Sequence, residues 1–168
     1  MSLRTYLWDA PPDDDAGFVR EVYANADPRG RIYLDQYNGW LNIGSLLPDP
    51  APHNAVRCIK SAAPDDLGTP PDHSRGYKCG RVSESNFCRW SWGIPYCRYT
   101  EVENSTWNDF PRGGSSGGPW FFGTGAAGIH SFSGTDTAVY YRLDHTKALF
   151  PSLEIYCGGE NEYFCTWP

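Results

Sequence analysis

Two runs hold the residues able to do covalent chemistry: Arg112-Gly113-Gly114-Ser115-Ser116-Gly117-Gly118-Pro119-Trp120-Phe121-Phe122 and, a few residues on, Gly128-Ile129-His130-Ser131-Phe132-Ser133-Gly134. A serine among glycines suits acyl transfer, because the backbone can turn sharply there and a substrate carbonyl can approach it closely. Neighbouring amides can then point at the oxyanion of a tetrahedral intermediate. Gly114-Ser115-Ser116-Gly117-Gly118 also satisfies the bare Gly-x-Ser-x-Gly pattern of a strand-to-helix nucleophile elbow. An elbow demands a helix directly after the serine, and Gly117-Gly118-Pro119 starts one badly. Standing alone, the tract reads as a Gly/Ser hairpin loop without chemistry.

The elements that must hold these runs are short strands. Strand character recurs at residues 18–23, 31–34, 55–60, 98–102, 119–122, 126–132, 138–143 and 153–157, separated by Gly, Pro, Asn and Asp clusters. That punctuation is typical of an all-β sandwich or barrel. The one helix candidate is a short turn at 145–150, stopped by Pro151. With 18 Gly and 14 Pro among 168 residues there is little room for long helices, while a 40% hydrophobic and 15% aromatic content supplies a core. A net charge of −6, from 14 Lys+Arg against 20 Asp+Glu, argues against nucleic acid as a partner. No apolar run approaches the length of a membrane-spanning helix, so no membrane partner is expected either.

Six cysteines with no Cys-x-x-Cys pair fit three disulfides better than a zinc site, and so an oxidising compartment. Residues 1–8 contain no apolar core of a secretion signal. The simplest connectivity joins neighbours in sequence. Cys58 pairs with Cys79 across a Pro- and Asp-rich loop at 61–74, Cys88 with Cys97, and Cys157 with Cys165 across an acidic turn. Neither a metal nor an organic cofactor is expected, since no His/Asp/Glu cluster has ligand spacing and no Gly-rich phosphate motif lies between a strand and a helix.

Four segments resemble, in order, those of the chymotrypsin-like serine peptidases, and most of all their bacterial streptogrisin and α-lytic protease branch. Gly114-Ser115-Ser116-Gly117-Gly118-Pro119 is similar to the Gly-Asp-Ser-Gly-Gly-Pro nucleophile loop. Asp15-Ala16-Gly17-Phe18-Val19-Arg20 resembles the strand bearing the family's aspartate, and Val56-Arg57-Cys58-Ile59-Lys60-Ser61 with Gly76-Tyr77-Lys78-Cys79-Gly80 resembles its disulfide loop. Gly128-Ile129-His130-Ser131-Phe132-Ser133 is similar to the strand lining the primary specificity pocket. The resemblance implies Ser116 as nucleophile, the amides of Gly114 and Ser116 as oxyanion hole, and Asp15 as the acceptor that orients the base. Read without it, Asp15 closes the run Asp13-Asp14-Asp15, ordinarily a solvated loop. Ser131, Phe132 and Ser133, with Phe110, would line the substrate pocket. Phe110 stands where trypsin-type members carry an acid, so a Lys/Arg preference is not implied, and Phe110 with Phe132 suggests apolar or aromatic side chains.

Three departures qualify this picture. The family's base is a histidine ahead of the aspartate, whereas His53, His73, His130 and His145 all follow Asp15. His53 and His73 lie in Pro-rich loops and read as surface residues, and His130 sits on a scaffold not built to place it between Asp15 and Ser116. Ser115 replaces the family's aspartate, and the cysteine pair bracketing the loop is absent.

The expected fold is all-β, a chymotrypsin-like antiparallel double β-barrel. Residues 51–168 would form a nearly complete second barrel, and residues 1–50 a truncated first barrel and crossover. The expected function is a serine endopeptidase acting on protein or peptide substrates outside the cell, N-terminally truncated and inactive as it stands. Two alternatives come from other classes: a non-catalytic homologue, and a secreted aromatic-rich binding module. For the latter, Trp90 and Trp92 between Cys88 and Cys97 are the candidate sugar-stacking rings. Asn104-Ser105-Thr106 fits an N-glycosylation acceptor.

Overall fold

The computed structural model describes residues 7–9, 17–19, 31–35, 39–48, 50–59, 77–91, 93–104, 117–149, 151, 155–158 and 163–166. Two hairpins come first, β1 (Leu7–Asp9) with β2 (Gly17–Val19) and β3 (Arg31–Asp35) with β4 (Gly39–Asn42). Then follow β5 (Ser45–Leu46), β6 (Val56–Ile59), β7 (Lys78–Ser91), β8 (Ile94–Glu103), β9 (Pro119–Phe122), β10 (Gly125–Ser133) and β11 (Thr137–Arg142). Helix α1 (Leu143–Leu149) and the hairpin β12 (Tyr156–Cys157) with β13 (Tyr163–Phe164) complete the order. Strands β11-β8-β7-β6-β9-β10 lie side by side, and β10 pairs again with β11, so these strands close into an antiparallel barrel. Closure removes the exposed edges that an open sheet of this composition would carry. β5 adds a short parallel pairing to β10.

Every barrel strand sends at least one side chain inward. Ile59, Val82, Val102, Trp120, Ala127, Ala138 and Tyr140 form one buried cluster, in which small Ala127 and Ala138 make room for the large rings of Trp120 and Tyr140. Trp120 is wholly enclosed, and burying a ring of that size is worth roughly 5 kcal/mol. Strand alternation turns the neighbouring side chains to the opposite face, where Tyr99, Val139 and Tyr141 pack with Phe87, Tyr96 and Phe132. Tyr140 and Tyr141, adjacent in β11, thus belong to different clusters.

All three sequence-local disulfides are present: Cys58–Cys79, Cys88–Cys97 and Cys157–Cys165. The first joins directly paired positions of β6 and β7, and the second staples the long β7–β8 hairpin. Each contributes about 2–4 kcal/mol by restricting the unfolded chain.

The full length of β7 is hidden in the sequence. Register shifts after Val82, Ser85 and Phe87 break its alternation, and Asn86 adopts φ 65°, a left-handed conformation that Asn tolerates better than most residues. Helix α1 begins two residues earlier than the expected 145–150, with Asp144 in its first turn and Lys147 in its last, as the helix dipole favours. The segment expected at 18–23 overlaps β2 (Gly17–Val19) at Phe18 and Val19, and of that at 153–157 the described strand covers Tyr156–Cys157.

Among the described glycines, Gly128 leaves the least room for a side chain. A Cβ there would sit 2.2 Å from Tyr140 Cδ2 and 2.4 Å from the Tyr141 carbonyl oxygen. Because one of those atoms is backbone, Gly128→Ala is expected to cost about 3 kcal/mol. Denaturant unfolding checks this, and a loss under about 0.5 kcal/mol would mean that β10 and β11 part easily.

Candidate active site

The β9–β10 hairpin sets the described end of the first run, residues 117–122, against the second. Its register pairs Pro119 with Ile129, and just beyond it the backbone continues the pairing. Gly117 N–H donates to the His130 carbonyl at 2.9 Å, and His130 N–H to the Gly118 carbonyl at 2.8 Å. Gly117 has φ 83°, which a side chain would resist. The residue that follows Ser116 is therefore bonded to strand β10 at His130. Ser116 itself, with Gly114, Phe110 and Asp15, lies outside the described residues.

On its other side β10 carries a bulge. His130 is opposite Tyr140, but the next pair is Phe132 with Val139, leaving Ser131 as the extra residue. The insertion inverts the alternation. His130 and Ser133 share one face, where Ser133 Oγ lies 3.1 Å from His130 Nε2. Phe132 turns to the opposite face and meets Tyr99 edge-on at 6.3 Å between centroids. Bulges beside functional sites commonly re-aim side chains in this way.

The chemistry of His130 is set by its neighbours. Trp120 Nε1–H donates to His130 Nδ1 at 3.2 Å, so Nδ1 is an acceptor and the ring proton sits on Nε2. That Nε2–H is the group facing Ser133 Oγ. His130 is 4% exposed, and burial lowers its pKa from 6.5 to about 4. Behind it the rings continue as a column, with centroids 6.1 Å apart from His130 to Trp120 and 5.4 Å from Trp120 to Tyr140. Near neutral pH the pair offers a neutral N–H and a hydroxyl, which suits an oxygen acceptor and not a cation. With Nδ1 occupied and so low a pKa, His130 is no general base near neutrality.

This pKa has a stability consequence. The folded-state value lies below the unfolded one, so between about pH 4 and 6.5 the unfolded chain binds more protons and stability rises with pH. The contribution is complete above about 6.5 and is lost as pH falls toward 4, on the order of 2 kcal/mol after allowance for partial hydration. Unfolding free energies should therefore fall more steeply over this window in the wild type than in His130→Gln. Parallel curves would show that His130 titrates alike in both states.

Nothing in the sequence pairs Trp120 with His130, because the partnership depends on the hairpin register. Elsewhere, exposed His53 Nδ1 lies 3.1 Å from the Ser83 carbonyl oxygen, and His73 lies outside the described residues. Asn104 of the glycosylation pattern donates its amide to the Cys79 carbonyl. Trp90 is 70% exposed, and Trp92 lies outside the described residues.

No protein-family model and no curated protein matches the chain. Solved structures do. Thermobifida fusca protease A superposes with a TM-score of 0.63 at 18% identity, over 93% of this chain and 70% of that one. The fold is that of the chymotrypsin-like serine proteases. Nocardiopsis protease aligns over 95% of this chain and 72% of its own, with a TM-score of 0.62 and 19% identity. A glutamic-acid-specific serine protease, described as using a histidine triad in substrate binding, aligns over 84% of this chain and 68% of its own, with a TM-score of 0.62 and 22% identity. In this chymotrypsin-like barrel the histidine on β10 is backed by Trp120 and Tyr140.

Proposed function

We propose that this protein is a serine endopeptidase that cleaves peptide bonds after acidic residues, glutamate above all, in an extracellular setting suited to its three disulfides. The observation that carries this reading is the pair of backbone bonds between Gly117, Gly118 and His130. They tie the exit of the nucleophile loop to the strand carrying the His130 and Ser133 donors. A side chain ending in a carboxylate would accept from both, while the carbonyl after it reached Ser116. The acidic preference is favoured over an apolar one because the Phe132 ring faces away from His130. The likeness to a glutamic-acid-specific protease that uses a histidine triad in substrate binding adds support.

In this mechanism Ser116 Oγ attacks the carbonyl carbon, and its proton passes to a base oriented by Asp15. The amides of Gly114 and Ser116 receive the oxyanion. Collapse expels the amine, and water then releases the acyl group from Ser116. No histidine precedes Asp15 in the sequence, so imidazole added from solution is the natural stand-in for the base. Chromogenic peptide amides with Glu, Gln, Phe or Lys before the cleaved bond test the reading in imidazole buffers. Glu should exceed Gln by about tenfold, the worth of a charge-assisted hydrogen bond. A preference for Phe or Lys would overturn the acidic pocket. Glu-selective binding without any imidazole-dependent turnover would overturn the enzyme reading in favour of a non-catalytic homologue, the alternative that Ser115 in place of aspartate keeps open.

A further inference from the structure

The bulge at Ser131 gives β10 two unlike faces at one place, with His130 and Ser133 on the first and Phe132 on the second. On the second face the Arg89 guanidinium carbon lies 4.0 Å from the centroid of the Phe132 ring. Arg89 is exposed, pairs across the hairpin with Tyr96, and follows Cys88, whose disulfide to Cys97 holds the hairpin rigid. Among the described residues no carboxylate pairs with it. A guanidinium resting on a ring keeps its N–H edges for a planar acceptor while losing little freedom on binding.

We propose that Arg89 on Phe132 is a second acid-recognising subsite, which takes the carboxylate of a residue upstream of the cleaved bond. It rests on the acidic-pocket reading given above. β10 continues through residues 131–133 beyond its last register pair with β9 at Ile129. A peptide laid along that stretch as an added strand sends successive side chains to alternate faces. When the residue before the cleaved bond occupies the His130–Ser133 face, the second and fourth residues before the bond lie on the Phe132 face, and the third does not. The substrate class is therefore an extended peptide with acidic residues in alternation. Such a peptide is repelled at long range by a chain of net charge −6, and a cation fixed beside the pocket offsets that repulsion locally.

Binding of fluorescein-labelled peptides to the full 168-residue chain tests this without requiring turnover. One series ends in a C-terminal Glu and carries Glu or Gln at the second, third or fourth position from the bond; a parallel series ends in Gln. At low salt, Glu at the second or fourth position should tighten binding about three- to fivefold, and Glu at the third should not. The gain should vanish in Arg89→Ala and persist in part in Arg89→Lys, while the ratio between C-terminal Glu and Gln stays as in the wild type. A gain that survives Arg89→Ala, a gain at the third position alone, or none at all while the C-terminal preference holds overturns the Arg89 subsite. Loss of the C-terminal preference with an Arg89-dependent upstream gain overturns the acidic pocket and leaves the subsite standing. Absence of both overturns both.

Discussion

Ser116→Ala is expected to reduce imidazole-dependent hydrolysis of Glu peptides by about 10³-fold or more. In the proposed mechanism the alanine removes the oxygen that would form the acyl-enzyme. Ser115 precedes it by one residue, while the turn at Gly117 and the bonds to His130 immediately follow Ser116. The result is measured as turnover in saturating imidazole, with the unfolding midpoint as a check on folding. A variant retaining more than about a tenth of wild-type turnover would assign the chemistry elsewhere. Ser115→Ala is the companion substitution, and its effect on turnover should be far smaller.

Trp120→Phe is expected to do two separable things. Replacing indole by a smaller ring in a wholly enclosed site costs about 2–3 kcal/mol of stability. Removing the Nε1–H also frees His130 Nδ1 from its donor, so neither tautomer is enforced and the imidazole can take up a second proton more readily. In the wild type, selectivity for Glu over Gln should be nearly flat from about pH 5 to 8, because a His130 with a pKa near 4 stays neutral throughout. In Trp120→Phe the selectivity should fall by about tenfold at neutral pH and become pH-dependent, because a hydrogen bond to the neutral ring no longer opposes protonation. Stability loss alone would not create a pH dependence, so the profile separates positioning from packing. A wild-type profile with a midpoint near 6.5 would mean that the imidazolium is the working form, and the role given to Trp120 would fall.

The effect on His130 springs from a contact between residues ten apart in sequence, brought together by one hairpin. That bears on what could be read along the chain. The all-β class follows from the Gly- and Pro-punctuated apolar segments, and the three disulfides follow from local cysteine spacing, because both depend on residues close in sequence. The resemblance of the Ser116 loop and the β10 segment to a chymotrypsin-like protease is likewise carried by contiguous residues, and the fold agrees with it. The length of β7 is not legible, because its register shifts erase the alternation that announces a strand. Nor is the division of β10 into a donor face and an aromatic face. Ser131 looks like any strand residue until β11 is laid against it, and only that pairing turns Phe132 away from His130 and toward Tyr99. A linear pattern records which side chains are available. The neutral state of His130, the proton on its Nε2 and the seat of Arg89 over Phe132 were decided by burial and register, which arise only when β9, β10, β11 and the β7–β8 hairpin close into one barrel.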